Sequence, residues 1–121
     1  MIEHIEPGAF MSQGVAFGDI LFLAGITADD RSLDVTGQTR QVLEKIDRYL
    51  AMGGSDKSRL LSAQIWLRDM GSWAEMNAVW SIWIAGHQPP ARATVEARLA
   101  GERLLVEIMV TAARKPGGGS V

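Results

Sequence analysis

Two apolar stripes of helical period sit in a chain whose other apolar segments have strand length, and their order leaves few folds open. Gln13–Ala24, "QGVAFGDILFLA", reads as a hairpin with a tight turn at Gly18-Asp19. Its second half, "ILFLA", is apolar throughout, which predicts a strand covered on both faces. A polar loop follows, and then a helix from Asp34 or Thr36 to Met52 with Val42, Ile46, Tyr49 and Leu50 on one face. Gly53-Gly54 stops it. Leu60–Leu67 alternates as a strand, with Leu61, Ala63, Ile65 and Leu67 on one side. Ser72 and Glu75 have capping-box spacing ahead of a second helix whose stripe is Trp73, Met76, Asn77, Trp80, Trp83 and Ile84. That helix ends near Gly86-His87, and Pro89-Pro90 forbids its return. Ala93–Leu99 and Leu104–Ala113 supply two more strands. Strand, strand, helix, strand, helix, strand, strand predicts an α+β fold: a mixed β-sheet with two helices packed on one face. Residues 1–115 read as one domain and 116–121 as a low-complexity, flexible tail.

The last two strands invite a closer reading. With "AGER" (Ala100–Arg103) as the turn of a hairpin, Leu99 faces Leu104, Ala97 faces Val106, Val95 faces Ile108 and Ala93 faces Val110. That all-apolar side would lie under the helices. The other side would pair Arg92 with Thr111, Thr94 with Met109, Glu96 with Glu107 and Arg98 with Leu105. Opposed glutamates on a sheet are unfavourable without a cation, which Arg98 or a second subunit would supply. A solvated face and a subunit boundary both fit this mixture.

Composition closes off several classes. The 121 residues contain no cysteine, so disulfides, thiolate nucleophiles and thiolate metal sites are excluded. A net charge of -2 offers no electrostatic footprint for nucleic acid. No apolar run has membrane-spanning length, and "MIEHIEPGAF" lacks the features of a secretion signal, so a cytoplasmic protein is expected. His4 and His87 have no carboxylate partner set, so no metal site is expected, and no cofactor either. His87 suits the negative end of the helix dipole.

"PPARATVEARLAGERLLVEIMVTAARK" resembles the C-terminal signature of the RidA family, also called YjgF or L-PSP endoribonuclease-like, whose members carry P-x-R-x-x-V-E and V-E-I strands. "SQGVAFGDILFLAG" is similar to the family's Q-G-V entry, and "WSIWIAGHQPPAR" looks closest to its YoaB-like branch. The resemblance spans about Ser12 to Lys115. It implies a chorismate-mutase-like fold, a homotrimer with clefts between subunits, and hydrolysis of 2-imino acids and their enamines to a 2-keto acid and ammonium. Family correspondence makes Arg92 the carboxylate anchor, since a guanidinium can grip a planar carboxylate with two parallel hydrogen bonds. It places Thr94 where active members have a cysteine and Met109 where they have a second strand glutamate that positions water. Met11 replaces a tyrosine, and Ala24 replaces a serine before the strand-ending glycine. Thr94 can hold a water, although a hydroxyl is a poor base at neutral pH. Gly25 and Ile26 are expected to present backbone groups to a ligand. Asn77 either caps a buried backbone group or, by resemblance, borders the cleft. Trp80 and Trp83 either wall an aromatic pocket or, as their helical spacing favours, belong to the core. Glu96 and Glu107 read as a structural ion pair with Arg98 or a trimer contact rather than an acid–base pair. The expected ligand is a small 2-imino or 2-keto acid. A non-catalytic binding trimer is the alternative, with endoribonuclease activity third.

Overall fold

The structure is a computed structural model that describes residues 1–117, so most of the expected 116–121 tail lies outside the described residues. The strands are β1 (Ile2–Pro7), β2 (Ser12–Phe17), β3 (Ile20–Leu23), β4 (Leu60–Leu67), β5 (Ala91–Glu96) and β6 (Val106–Ala113). The helices are α1 (Val35–Met52) and α2 (Trp73–Ile84). One mixed sheet has the order β1-β2-β3-β6-β4-β5. Both helices lie on one face, over a core that includes Leu21, Ile65, Val106 and Ile108. This is the α+β architecture expected from the pattern.

The local signals act as their chemistry requires. Asp34 caps α1 by accepting the Gly37 N–H at 2.9 Å. At its other end Gly53 keeps an ordinary φ of -88°, while Gly54 takes φ 80°. A side chain at Gly53 would collide with the buried Leu21, so this glycine is there for room and the next one for conformation.

Four expectations need correction. First, β1 joins the sheet antiparallel to β2. "IEHIEP" gives no strand signal because it is an edge strand with Ile5 alone buried. Second, within the single chain "ILFLA" is covered on one face only: Phe22 is half exposed, between the buried Leu21 and Leu23. Third, a bulge between Leu60 and Ser62 turns Leu61 outward and buries Leu60 instead. Fourth, the capping box does not form. A 3-10 turn, Met70–Ser72, precedes α2, and the Ser72 hydroxyl donates to the Asp69 carbonyl at 2.7 Å.

The largest departure is the final hairpin. β5 and β6 are not neighbours: β4 lies between them, antiparallel to β6 and parallel to β5. Parallel strands need a covering crossover, and α2 with its apolar stripe supplies it. The chain from Ala97 to Leu105 then passes the end of β4 instead of turning tightly. Two polar anchors hold it, the half-buried Arg68 and the buried Gln38. Arg68 donates to the carbonyls of Leu104 (2.8 Å) and Gly101 (2.6 Å). Gln38, fully buried on α1, donates to Leu33 and Arg103 carbonyls and accepts the Leu105 N–H at 2.9 Å. On the far side, buried Arg114 joins three elements. It donates to the Gly53 and Gly18 carbonyls and pairs with Glu3 at 2.9 Å.

Two outcomes follow from these contacts. Gln38→Leu strands a buried N–H and two carbonyls, so it should cost on the order of 3 kcal/mol in urea unfolding; a loss within error of zero would remove the anchor role. The second concerns acid. Asp56 accepts from the Ser58 hydroxyl and pairs with Lys115 at 3.1 Å, and these contacts lower its pKa from 3.8 to about 2. The folded chain therefore binds this proton later than the unfolded one. The contribution is whole above the unfolded value of 3.8 and is lost as pH falls toward about 2. Since the carboxylate is half exposed, the effect stays below about 1 kcal/mol. Asp56→Asn should flatten the stability curve in that window alone, and an equal slope in both proteins would refute it.

Candidate functional site

Strand β5 follows Pro89-Pro90 and lies at one edge of the sheet, with β4 on its single paired side. Arg92 pairs with Ala63, Thr94 with Ile65 and Glu96 with Leu67. Residues in register on parallel strands share a face. Arg92, Thr94 and Glu96 thus belong to the helix-covered side, while Ala93 and Val95 face away from the helices. This inverts the expected assignment of the two faces. The hairpin register placed Arg92 beside Thr111 and Thr94 beside Met109; with β4 intervening, neither contact forms.

Arg92 reaches up to α2. Its Nη1 donates to Asn77 Oδ1 at 2.8 Å, so the Asn77 oxygen meets a guanidinium and not a backbone group. The guanidinium carbon lies 5.2 Å from the ring centre of Trp80 and 5.9 Å from that of Trp73, both within cation–π range. Partial burial lowers the Arg92 pKa from its ordinary value. The group keeps its charge regardless, because an arginine is protonated at any physiological pH. Trp80 is buried and also stacks on Trp83 at 5.3 Å, so the expected core role holds for Trp80 while its ring also meets Arg92. Trp83 is partly buried and donates to Asp47 at 3.0 Å.

The expected acidic pair is also separated. Glu96 accepts the Met70 N–H at 2.8 Å, fixing the turn that leads into α2. Glu107 pairs with Trp66 in the ladder, on the opposite face. Its carboxylate occupies the space that a side chain at Gly25 would fill. Next to it, the buried Ile26 exchanges two backbone hydrogen bonds with Ile108, at 2.8 and 3.1 Å, so its N–H and C=O are engaged in the sheet rather than presented to a ligand as expected.

Met109 lies with Gln64 on the open face. A concavity of about 450 Å³ at this end of the sheet is bordered by Ser62, Gln64, Arg92, Ala93, Met109 and Thr111. Met11 lies at the β1–β2 turn, at the opposite edge of the sheet from β5. One chain therefore brings Arg92 and Asn77 together with Thr94 on the same strand face, sets Gly25 and Ile26 beside β6, and leaves Met11 remote. The open face carries half-exposed Phe17, Phe22, Val95 and Met109. The reading from sequence placed Trp73 and Trp80 on the α2 stripe and missed their contact with Arg92; the available signal was the strand–helix–strand order around α2, which sets the face of Arg92.

Comparisons with known proteins bear on the family and the fold. Residues 1–114 match the family described as Endoribonuclease L-PSP. The chain is 42% identical to a RutC family protein of Haemophilus ducreyi, over 93% of this chain and 97% of that one. It is 35% identical to the RutC family protein YoaB of Escherichia coli, with the same coverage. The crystal structure of NMB1025 from Neisseria meningitidis, a member of the YjgF protein family, superposes with a TM-score of 0.93 at 43% identity, covering 96% of this chain and 97% of that one. The sheet with its two helices is the chorismate-mutase-like α+β fold of these proteins. The chain belongs to the RidA/YjgF/L-PSP family.

The Arg92–Asn77 contact is open to measurement. Asn77→Leu removes the one acceptor that Arg92 has among the described residues and should cost about 1–3 kcal/mol. A double-mutant cycle with Arg92→Met should show coupling on the order of 1 kcal/mol; strictly additive effects would mean the pair does not form.

Proposed function

We propose that this protein binds small 2-imino and 2-keto acids by their carboxylate at Arg92 and hydrolyses the imines. The observation that carries the reading is the environment of Arg92. A charged, partly desolvated guanidinium on the edge strand has one donor engaged by Asn77 and its Nε and Nη2 without partners among the described residues. That donor pair matches the two oxygens of a planar carboxylate. Water adds to the C=N carbon, and collapse of the adduct breaks the C–N bond. The products are the 2-keto acid and ammonia, which takes up a proton to leave as ammonium. Family membership supports this chemistry, and Thr94, two residues along the same strand face, is the nearest candidate to hold the water.

The cleft is proposed to lie between subunits of a homotrimer. The apolar open face of the sheet and the distance between Met11 and Arg92 within one chain support an arrangement in which neighbours complete the site. Gly25, Asn77, Met109 and Met11 are its proposed lining, and the cytoplasm its proposed location. A second reading, a binding or regulatory trimer without turnover, is favoured by a specific observation. Met109 stands in place of the active members' second strand glutamate, and on the Arg92 face Glu96 already serves a backbone N–H. Ribonuclease action finds no such support: "Endoribonuclease" is the family's description, and the chain is acidic, with a net charge of -2.

The test supplies imines generated in place by an amino-acid oxidase and follows keto-acid release, with calorimetry on 2-ketobutyrate in parallel. Arg92→Ala should weaken binding by more than about tenfold, the equivalent of ~1.4 kcal/mol. Arg92→Lys should recover little of it, since lysine lacks the forked donors. Unaltered affinity in Arg92→Ala would end the anchor assignment. Binding without any turnover would select the regulatory reading.

A further inference from the structure

We infer that Trp73 and Trp80 are positioning residues that hold the plane of the Arg92 guanidinium before any ligand arrives. The inference rests on the reading of Arg92 as a carboxylate anchor for its functional meaning, though not for its geometry. Trp73, Asn77 and Trp80 are spaced four and three apart on α2, so they form one stripe along the helix. The two indoles are separated by about 10 Å along the helix axis, with Asn77 between them. Arg92 rises from β5 into the middle of that stripe. Its Nη1 is fixed by Asn77 at 2.8 Å, and its carbon lies 5.2 Å from one ring centre and 5.9 Å from the other. A hydrogen bond alone lets a long side chain rotate about the donor. Contacts with two rings and one amide leave it a single orientation.

The two rings differ in how firmly they are held. Trp80 is buried and backed by Trp83, so it is a fixed wall. Trp73 is 41% exposed, opens α2 after the Met70–Ser72 turn, and depends on that turn for its place. Glu96, on the Arg92 strand and face, accepts the Met70 N–H of the same turn at 2.8 Å. The strand that bears the arginine thus also secures the helix start that bears its outer ring. Because Trp73 is half in solvent, replacing it leaves the core intact, which makes it the residue to vary.

The full chain labelled with nitrogen-15 and carbon-13 at arginine provides a ligand-free readout. In the wild type the Arg92 side-chain protons should be displaced upfield by the indole ring currents, with Arg92→Lys identifying the signals. Trp73→Ala should lose part of that displacement and Trp73→Phe should retain most of it. Calorimetry with 2-ketobutyrate should find affinity roughly tenfold weaker in Trp73→Ala and near wild type in Trp73→Phe. Arg92 signals without a ring-current displacement, or unmoved by Trp73→Ala, would overturn the inference whatever binds. If the wild type binds and Arg92→Ala does not, equal affinity in Trp73→Ala would overturn the positioning role and leave the anchor standing. If the wild type binds no 2-ketobutyrate, the anchor reading fails and the ligand-free signals alone decide whether the tryptophans hold Arg92.

Discussion

Parallel pairing between β4 and β5 is the constraint on which the rest of the site depends. A parallel neighbour cannot be reached by a tight turn, so the chain must climb over the sheet and return. α2 makes that passage, and its apolar stripe is buried as it does so. The same passage decides which way each β5 residue points. Arg92 faces the helix because Ala63, its partner in β4, faces the core. The arginine, the asparagine that binds it and the two indoles beside it are therefore products of one connection. No separate local feature assembles them.

Much of this was legible in the sequence. The helical stripes, the alternation of β4, the Gly18-Asp19 turn and the stop at Gly53-Gly54 are local, and the physics that produces them acts within a few residues. Arg92 was found through a motif, and its partner Asn77 was singled out as the polar member of an apolar stripe. What failed was non-local. Ala93–Leu99 and Leu104–Ala113 alternate well enough to form a hairpin, and nothing inside either strand reveals that β4 will come between them. Arg68 and Gln38, which hold the chain around the end of β4, are separated from it in sequence, and neither belongs to a recognisable pattern. β1 escaped notice for the opposite reason: an edge strand with one buried side chain has almost no pattern to read.

The like-charge conflict expected between Glu96 and Glu107 shows how one register error spreads. On the hairpin reading the two carboxylates met and called for a cation. In the actual ladder they occupy opposite faces and have different tasks. One secures the turn before α2, and the other lies against Gly25 next to the Ile26–Ile108 bridge. The apolar character of the open face survives the correction, since Phe17, Phe22, Val95 and Met109 remain partly uncovered in the single chain. Sequence reasoning reached a mixed face by a wrong pairing, and the structure supplies a different set of residues for it.

Arg92 stands on an edge strand, since β5 is paired along one side only. An edge strand is the first part of a sheet to peel away when a protein breathes. Its side chains, however, are tied upward into α2 by Asn77 and into the preceding turn by Glu96. The strand is thus moored to the helix as well as to the sheet, and any opening that carries Arg92 outward must loosen the start of α2 with it. Edge and helix form one mechanical unit, and the anchor is lost or kept together with the ring that lies beside it.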